Sequence, residues 1–417
     1  MGHKLRRLLQ QVLVLVIPLF GYTFFTDRDF AQWQLQFRQL ALNNGIQAET
    51  FDLAFRGLTP DSKVLRLDAY QPEFSRTTWE YLDKSVSADR LRIGQQKWQE
   101  HSALLKKISS RYGVQQEYLL AIWGMESGFG QRMGNYSIMR SMATLAYAGR
   151  YERRGFWQDQ LLAALRILQK KDVTLSSLRG SWAGAIGHTQ FMPLTFERYA
   201  VDFDGDGQRD LVNSLADALA STANYLAQSG WKKGQVWGEE VTLPTDFDWA
   251  QADPVNWQPL AYWSGQGVQL VNGNSLADWR DELAFILLPA GYRGPAFLAY
   301  QNFRALLEYN NSVNYALAVG TLGDQLRGDR PVVAEWPRFE RDLSRYEKAE
   351  LQELLSAVGY STDGIDGKIG VNTRAALRRW QADVGLPSDG YPTFDQLQLL
   401  REQTEIPFTY SIQEASG

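Results

Sequence analysis

The chain has 417 residues and a net charge of −4, from 47 acidic and 43 basic side chains. This length allows two or three domains with a large buried core, and the acidic balance leaves no basic surface that would bind nucleic acid. Cysteine is absent, which excludes disulfides, thiolate metal sites, a cysteine nucleophile and a lipidated N-terminal cysteine. Aromatic side chains make up 13% of the residues, and an excess of Trp and Tyr suits sugars, which stack on rings.

The first 26 residues have the pattern of an export segment. Lys4, Arg6 and Arg7 precede an uncharged stretch at 8–26, which includes the apolar run 12–17. A basic region followed by a short apolar run is typical of a signal peptide. No small-residue cleavage site is obvious, and the run is close to the length that spans a bilayer. The sequence therefore predicts an exported, periplasmic protein in which residues 1–26 are either a cleaved signal peptide or an uncleaved anchor in the inner membrane.

The next part of the chain is predicted to be mostly helical. Apolar side chains recur at helical spacing within residues 27–110, and further helices are predicted at 156–170 and 217–230. Residues 231–274 are rich in Val, Trp, Gly, Pro and Thr and lack helical period, which indicates a small sheet subdomain. The helical pattern returns at 295–326.

Glu126 is the strongest candidate for a catalytic group. It follows an apolar stretch, residues 118–125, that suits a helix buried on most faces, and glycines then break the helix and let a ligand approach. Ile122 and Trp123 lie one turn before the carboxyl on the same helix face. We expect burial against them to raise the pKa of Glu126, so that the protonated acid can donate to a leaving oxygen. The alternative is a structural glutamate at a helix end.

A glycine-rich segment at residues 180–193 is predicted to line a ligand site. Ser181 and Gln190 can hydrogen-bond to hydroxyl and acetamido groups, and apolar side chains follow them. The segment lacks the Lys-Ser/Thr ending of a phosphate-binding loop. His188 has no partner that the sequence identifies, so we interpret it as a loop residue and not as a base. The alternative is a tight packing loop without a ligand.

Residues 202–210 have the Asp-x-Asp-x-Asp-Gly spacing of a calcium loop, in which alternate carboxylates converge on one hard cation. Position twelve is Asn213 instead of the usual bidentate Glu, so Asp210 or Asp217 has to complete the shell. We expect such an ion to brace the fold without taking part in chemistry, and an acidic turn without metal is the alternative. No organic cofactor is indicated. The candidate ligands are Asp202, Asp204, Asp206, the carbonyl of Gln208, and Asp217.

A separate C-terminal unit is predicted at residues 342–402, after a linker at 330–338 that contains Pro, Trp and Arg. Two amphipathic helical patterns and several Asp-Gly turns suit a small helical module of about sixty residues. Residues 403–417 are predicted to be a disordered tail.

Together these motifs resemble the lytic murein transglycosylase B family of bacterial cell-wall enzymes. The resemblance covers residues 27–335. Three further segments carry it, namely residues 223–225, Tyr309-Asn310 and Tyr315-Ala316. It implies an α+β, mostly helical, lysozyme-like catalytic domain with a deep glycan cleft. The unit at 342–402 resembles the peptidoglycan-binding domain of many wall hydrolases. That likeness rests on Leu351-Gln352, Gly359-Tyr360, Asp366-Gly367, Gly370, Thr373, Ala376, Trp380-Gln381, Gly385-Leu386 and Asp389-Gly390.

The resemblance also implies roles for individual residues. Glu126 matches the only catalytic acid/base of the family, and the calcium loop carries over. Arg153 and Arg154 resemble a pair of arginines that contact substrate. The positions that match glycan-binding residues are Ser181, Gln190, Tyr309 and Asn310.

A single candidate carboxyl has a mechanistic consequence. Hydrolysing glycosidases usually need two carboxylates, and the sequence has no second one in a comparable setting, which favours a reaction without an external water. One group would then serve as acid and afterwards as base, and the resemblance implies a 1,6-anhydromuramyl product from peptidoglycan glycan strands. A hydrolytic muramidase is the first alternative. A non-catalytic scaffold that binds the wall through its C-terminal module is the second.

Overall fold

The structure is a computed structural model that describes residues 27–69, 76–273, 276 and 282–404. The predicted export segment, residues 1–26, and residues 405–417 of the predicted tail lie outside the described residues. Within the described ranges, no helix combines the length and the apolar character needed to cross a bilayer.

Most of the chain before residue 330 is helical, as the sequence predicted. Serine or threonine side chains cap several helices by accepting a backbone N–H of the first turn, as Ser214 does at the start of α10 and Ser312 at the start of α13. The helices are α1 (Asp27–Asn43), α2 (Ala48–Phe55), α3 (Ser62–Ala69), α4 (Thr78–Ser85), α5 (Ala88–Tyr112), α6 (Gln116–Ser127), α7 (Ile138–Ala148), α8 (Arg154–Gln169), α9 (Pro193–Tyr199), α10 (Leu215–Gln228), α11 (Leu260–Gly265), α12 (Gln301–Tyr309) and α13 (Val313–Arg327).

Helix α6 lies inside the largest hydrophobic core and packs against α5 and α13. Residues 118–122 have no exposed surface, so the continuous apolar stretch reflects burial on most faces of the helix. Polar contacts also join α6 to α13. Tyr118 donates to Asp324 Oδ1 at 3.0 Å, and Arg327 pairs with Glu117 at 3.1 Å. These contacts fix the position of α6, whose last turn carries Glu126.

The predicted sheet subdomain is confirmed, although its centre lies later in the chain than predicted. A two-stranded pair, β1 (Tyr136–Ser137) and β2 (Arg179–Gly180), is separate from an antiparallel sheet of order β4-β6-β7-β3-β5. The strands of that sheet are β3 (Gly238–Thr242), β4 (Gln258–Pro259), β5 (Gln269–Leu270), β6 (Leu283–Leu287) and β7 (Ala296–Ala299).

The prediction that helix resumes at residue 295 is wrong. Residues 296–299 pair with both β6 and β3, and the helix begins at Gln301. Along β6, Phe285 packs into the helical core while Ile286 packs into a second cluster with Val241 and Trp263. Both faces of the sheet are therefore covered, and a short apolar run that is buried on both sides has no period to distinguish strand from helix.

The C-terminal unit has its own core. Helices α14 (Arg345–Ala357), α15 (Val371–Asp383) and α16 (Phe394–Thr404) bury Leu351, Leu377 and Trp380 among themselves. Helix α16 continues two residues past the predicted end of the unit at 402. The two predicted helical patterns correspond to α14 and α15.

The C-terminal unit and the linker contact the catalytic domain. Arg378 pairs with Asp253 at 2.5 Å, and the N–H of Tyr292 donates to Asp389 at 2.8 Å. In the linker, the N–H groups of residues 333 and 334 donate to Glu240 of β3 at 2.8 and 2.7 Å. The linker is therefore held along the edge of the domain that precedes it.

Candidate active site

Glu126 lies in the last turn of α6, just before a sharp reversal of the chain. Gly128 and Phe129 both have left-handed backbone conformations, with φ of 58° and 59°. Glycine adopts this conformation freely, whereas phenylalanine does so at a cost in strain. Gln190, in the glycine-rich loop, has φ of 54°. Strained backbone is therefore present on both segments of the candidate site, as is common where geometry serves function.

Ser127 fastens the end of α6 to the glycine-rich loop. Its hydroxyl donates to the carbonyl of His188 at 2.6 Å and accepts the N–H of Gly130 at 2.9 Å. The Trp123 indole donates to Nδ1 of His188 at 3.1 Å, and burial lowers the pKa of this histidine. His188 is thus a neutral acceptor that joins the loop to α6. This agrees with its interpretation as a loop residue, although the sequence did not identify Trp123 as its partner.

Three tyrosines surround the Glu126 carboxyl. The Tyr315 hydroxyl donates to Oε1 at 2.6 Å. Tyr309 and Tyr81 are close enough for the charge of Glu126 to raise their pKa, although burial is the larger cause for both. Burial in turn raises the pKa of Glu126 from 4.5 to about 7, against the opposing effect of the Tyr315 hydrogen bond. The predicted rise in the pKa of Glu126 is confirmed, so the acid holds its proton near neutral pH.

The side chains that surround the carboxyl differ from those predicted. The Trp123 ring packs edge-on against Phe129 and His188, at centroid distances of 5.5 and 5.8 Å. The tyrosines come instead from α4, α12 and α13. Tyr315 is part of the sequence resemblance without a predicted role, and Tyr81 was not predicted. The spacing of residues cannot show which side of α13 faces α6, because packing between distant segments decides it.

The glycine-rich loop is closed by its own hydrogen bonds. The N–H of Ala185 donates to the Ser181 hydroxyl at 3.0 Å, and the Gln190 amide donates to the carbonyls of Met133 and Gly187 at 3.0 and 2.8 Å. Both amide hydrogens of Gln190 are thus occupied, which leaves its Oε1 to accept from a ligand. The tight-packing alternative therefore describes the loop backbone, and the groups that remain for a ligand are Oε1 of Gln190, which can accept, and the Ser181 hydroxyl, which can donate.

Tyr309 connects α12 to this loop, because its hydroxyl donates to the carbonyl of Thr189 at 2.7 Å. Asn310 follows it as the exposed C-cap residue of α12. The structure thereby brings Tyr309, Gln190 and Glu126 into one region. Thr189, which accepts the Tyr309 hydroxyl, precedes Gln190 in the loop. Ser127, which bonds to the same loop, follows Glu126 at the end of α6.

Arg153 and Arg154 lie at the turn between α7 and α8. Arg153 stacks over the rings of Phe156 and Trp157 at 5.0 and 4.6 Å, and Arg154 donates to the carbonyl of Gly149 at 3.1 Å. Within the described part of the chain, no recorded contact joins either arginine to Glu126. A substrate role for this pair therefore stays a prediction that the sequence resemblance alone carries.

The acidic loop gathers three of the predicted calcium ligands. Asp202, Asp204 and Asp217 each offer a carboxylate oxygen within 4.8 Å of the other two. Asp217 is fully buried, and desolvation raises its pKa, even though its oxygens accept the N–H groups of Phe203 and Asp210 at 2.7 and 2.9 Å. A buried carboxylate beside two others suits a hard divalent cation, which would offset their mutual repulsion.

Asp206 and Gln208 take a different part in this loop. Asp206 Oδ1 accepts the N–H of Gln208 at 2.8 Å, and Asp206 does not belong to the cluster of three carboxylates. Asp210, the alternative to Asp217 for closing the shell, is occupied by the backbone and side chain of Asn213. Of the two alternatives, Asp217 is the one that the geometry brings to the cluster.

A mostly helical domain with a small sheet, which presents one protonated carboxyl among aromatic rings, defines a lysozyme-like, glycan-cleaving class of protein. A family model described as the transglycosylase SLT domain matches residues 29–324, and a peptidoglycan-binding domain model matches residues 345–400. The chain therefore belongs to the SLT transglycosylase family and carries a C-terminal peptidoglycan-binding domain. The predicted fold class and family are confirmed.

Characterised relatives agree with this placement. The chain is 30% identical to the membrane-bound lytic murein transglycosylase B of Escherichia coli over 291 residues, which is 66% of this chain and 74% of that protein. SltB3 of Pseudomonas aeruginosa, in a crystal structure with NAG-anhNAM-pentapeptide, is 52% identical with a TM-score of 0.87, covering 89% of this chain and 99% of that one. Slt35 of E. coli, in a structure with calcium, is 27% identical with a TM-score of 0.60, covering 70% and 92%. The chain is a lytic murein transglycosylase that acts on peptidoglycan.

Proposed function

We propose that Glu126 carries out both proton transfers of a non-hydrolytic cleavage of the MurNAc–GlcNAc β-1,4 bond. The observation that carries this proposal is the setting of Glu126, whose carboxyl lies among three tyrosines and accepts the hydroxyl of Tyr315 at 2.6 Å. Burial raises the pKa of Glu126 to about 7, and no other carboxylate within the described residues contributes to that shift.

In the first step Glu126 gives its proton to the glycosidic oxygen as the bond to C1 of N-acetylmuramic acid breaks. Positive charge develops at C1, and the acetamido group of the same sugar can share it. Ionised Glu126 then removes the proton of the C6 hydroxyl, whose oxygen attacks C1 and closes the 1,6-anhydro ring. Glu126 ends the cycle protonated, so no water enters the reaction and one group serves as acid and then as base.

Tyr315 suits this exchange because its hydroxyl can donate to Glu126 throughout. The bond of 2.6 Å to Oε1 stabilises the ionised form more than the protonated one. The carboxylate that exists between the two steps is therefore stabilised while burial still keeps the resting acid protonated. A hydroxyl donor is suited to this role because it carries no charge that would lower the pKa of Glu126 further.

The remaining predicted site residues enter as ligand contacts. We assign Gln190 as an acceptor and the Ser181 hydroxyl as a donor in the loop beside the acid, and Tyr309 and Asn310 to the α12 side of the same site. Support comes from the Tyr309–Thr189 and Ser127–His188 bonds, which hold the loop against α12 and α6. Arg153 and Arg154 are retained as substrate contacts on the resemblance alone.

Calcium and export complete the proposal. We assign a structural calcium ion to Asp202, Asp204 and Asp217, supported by their clustering and by the calcium that the Slt35 structure contains. The ion would brace the loop before α10 and supply no chemistry to the reaction.

Export to the periplasm, with or without a membrane anchor at residues 1–26, is proposed from the basic and apolar pattern of that segment. The comparable E. coli enzyme is named as membrane-bound.

The experiment that tests the reaction is mass spectrometry of the muropeptides released from purified sacculi. Anhydromuramyl products are lighter by one water than the products of hydrolysis, so the mass alone separates a transglycosylase from a hydrolytic muramidase. Products that all carry the added water would refute the proposed role of the C6 hydroxyl. The Glu126→Gln protein serves as the matched control, because it should release neither product.

A further inference from the structure

A cavity of about 640 Å³ lies between the C-terminal unit and the catalytic domain. The catalytic domain contributes Thr78 and Tyr81 of α4, the end of β6, and Asn314 at the start of α13. The C-terminal unit contributes side chains of α14 and α15 and of the turn at residues 389–392. The volume is in the range of roughly 300–1,000 Å³ that small-molecule sites have.

The lining of this cavity is rich in positive charge. It includes the cationic side chains of Arg76, Lys348, Arg374 and Arg378, against the carboxylates of Asp342 and Asp389. Contacts within the protein neutralise some of these groups. Lys348 pairs with Asp342 at 2.9 Å, and Arg378 pairs with Asp253 outside the lining at 2.5 Å. Asp389 is stabilised by backbone N–H groups and by the Gln381 amide, at 2.8 to 3.0 Å.

Among the described residues, no carboxylate lies within ion-pair distance of Arg374, although Asp389 and Asp253 are near enough for their charges to raise its pKa. The guanidinium donates instead to the carbonyl of Gly390, at 3.3 Å. Desolvation lowers the pKa of Arg374, and the neighbouring charge of Arg378 adds to this effect. The guanidinium therefore lies where a charge is poorly solvated and is repelled by a second cation, and the carboxylates of Asp389 and Asp253 offset these two effects only in part. An anion in the cavity would relieve both.

The neighbouring Arg378 is held in place by contacts within the protein. Nε of Arg378 is buried and has no hydrogen-bond partner, although its two terminal nitrogens bond to Asp253 and to the carbonyl of Ala252. Arg374 and Arg378 are one turn apart on α15, so an anion bound by Arg374 would also lie close to the positive charge of Arg378.

The cavity reaches the vicinity of the catalytic acid. Asn314 lines it, and the next residue, Tyr315, donates to Glu126. Thr78 donates to Asn314 Oδ1 at 2.9 Å, and Tyr81 lines the cavity while its pKa is raised in part by the charge of Glu126. A substituent on a sugar that is held at Glu126 therefore has a short path, along α4 and the start of α13, into the cavity.

We propose that this cavity is a subsite for the peptide stem of the substrate, and that Arg374 binds a carboxylate of that stem. The glycan backbone offers mainly neutral hydroxyl and acetamido groups, whereas the stem that N-acetylmuramic acid carries has free carboxylates. The inference rests on the proposed function, since it requires the acid site to hold an N-acetylmuramic acid residue. It gives the C-terminal unit a part in choosing which glycans are cleaved.

The test compares two ligands in the full-length protein with Glu126→Gln, which binds without turnover. One ligand is a GlcNAc–MurNAc tetrasaccharide with pentapeptide stems, and the other is the same tetrasaccharide after removal of the stems. Arg374→Gln is expected to weaken binding of the first about 5- to 50-fold, as the loss of a charge-assisted contact does, and to leave the second unchanged. Arg374→Lys keeps the charge and should recover part of the affinity. Arg379→Gln, at an exposed position of the same helix, is the matched control.

Two outcomes would overturn the inference. Unchanged binding of both ligands would exclude Arg374 from recognition, and an equal loss for both would show that it holds the two domains together or contacts the glycan. Melting curves and limited proteolysis of each variant check that the C-terminal unit stays folded and docked. The proposed function is tested separately by turnover of the stem-free tetrasaccharide by the wild-type protein. Anhydro products there, together with no effect of Arg374, would refute only the peptide subsite.

Discussion

Replacing Glu126 by Gln should stop the reaction and also stabilise the protein at alkaline pH. The amide oxygen can still accept the hydroxyl of Tyr315, now 2.6 Å from Oε1, so the packing of the site should be retained. The amide has no proton to give. Loss of a general acid typically costs ~10²–10⁴ in rate, and more when the same group also acts as the base.

The stability effect follows from the pKa of Glu126, which burial raises from 4.5 to about 7. Between these two values the unfolded chain loses this proton and the folded protein keeps it, so the free energy of unfolding falls as pH rises. The contribution is fully present below the unfolded pKa and is lost once pH passes the folded pKa. A pKa change from 4.5 to about 7 corresponds to about 3 kcal/mol. Because the residue keeps some solvent access, we take this as an upper value.

Urea unfolding of wild-type and Glu126→Gln proteins, at about pH 4 and about pH 8.5, measures this difference. The variant should gain up to about 3 kcal/mol relative to wild type between the lower and the higher pH. An equal difference between the two proteins at both pH values would show that the carboxyl titrates normally and would refute the argument from burial. Substantial turnover by the folded variant would assign the acid to another residue.

Two further predictions concern the hydrogen bond from Tyr315 to Glu126 and the proposed calcium site. Tyr315→Phe removes the hydrogen bond that lowers the pKa of Glu126, so the alkaline limit of activity should move to higher pH while the maximal rate falls about tenfold. A pH profile of kcat that keeps the wild-type alkaline limit would contradict this role. Calcium should raise the melting temperature of chelator-treated protein by mass action, and Asp204→Asn should reduce the gain. Identical melting curves with and without calcium would count against the metal site, with magnesium as the control for ionic strength.

Sequence patterns predicted the helical parts of the fold because the signals that indicate a helix lie within its own stretch of the chain. The stretch before Glu126 is apolar and ends at a glycine, and α10 follows a serine that caps it. The strands β6 and β7 were not predicted, because their residues are buried on both faces of the sheet and show neither alternation nor helical period. Only pairing with other strands identifies β7, and its pairing with β3 joins residues 238–241 to 296–299.

The candidate site shows the same division between local and distant information. Glu126 was found from its neighbours in the chain, and its raised pKa was predicted from the expectation of burial. The group that hydrogen-bonds to it, Tyr315, is 189 positions away, and no spacing rule reports such a contact. Trp123 was expected beside the carboxyl because it precedes it by one turn, but it packs against His188 instead. The position of a residue on a helix indicates the direction in which its side chain leaves that helix. The packing of the neighbouring helices decides which side chains lie next to it.

The C-terminal unit should affect substrate choice more than the chemical step, and a chain that ends at Arg338 tests this. Every group that contacts Glu126 precedes that residue, and the unit has a core of its own, so the shortened chain should fold. We expect it to cleave stem-free soluble glycan about as fast as the full chain. On sacculi it should lose much of its activity, because a tethered wall-binding unit raises the effective concentration of the active site at the wall. An equal loss on stem-free soluble glycan, in a shortened chain whose melting curve is intact, would show that α15 completes the active site. The cavity at Arg374 makes that comparison sharper, since a glycan with stems should bind the shortened chain at least as weakly as it binds the Arg374→Gln protein.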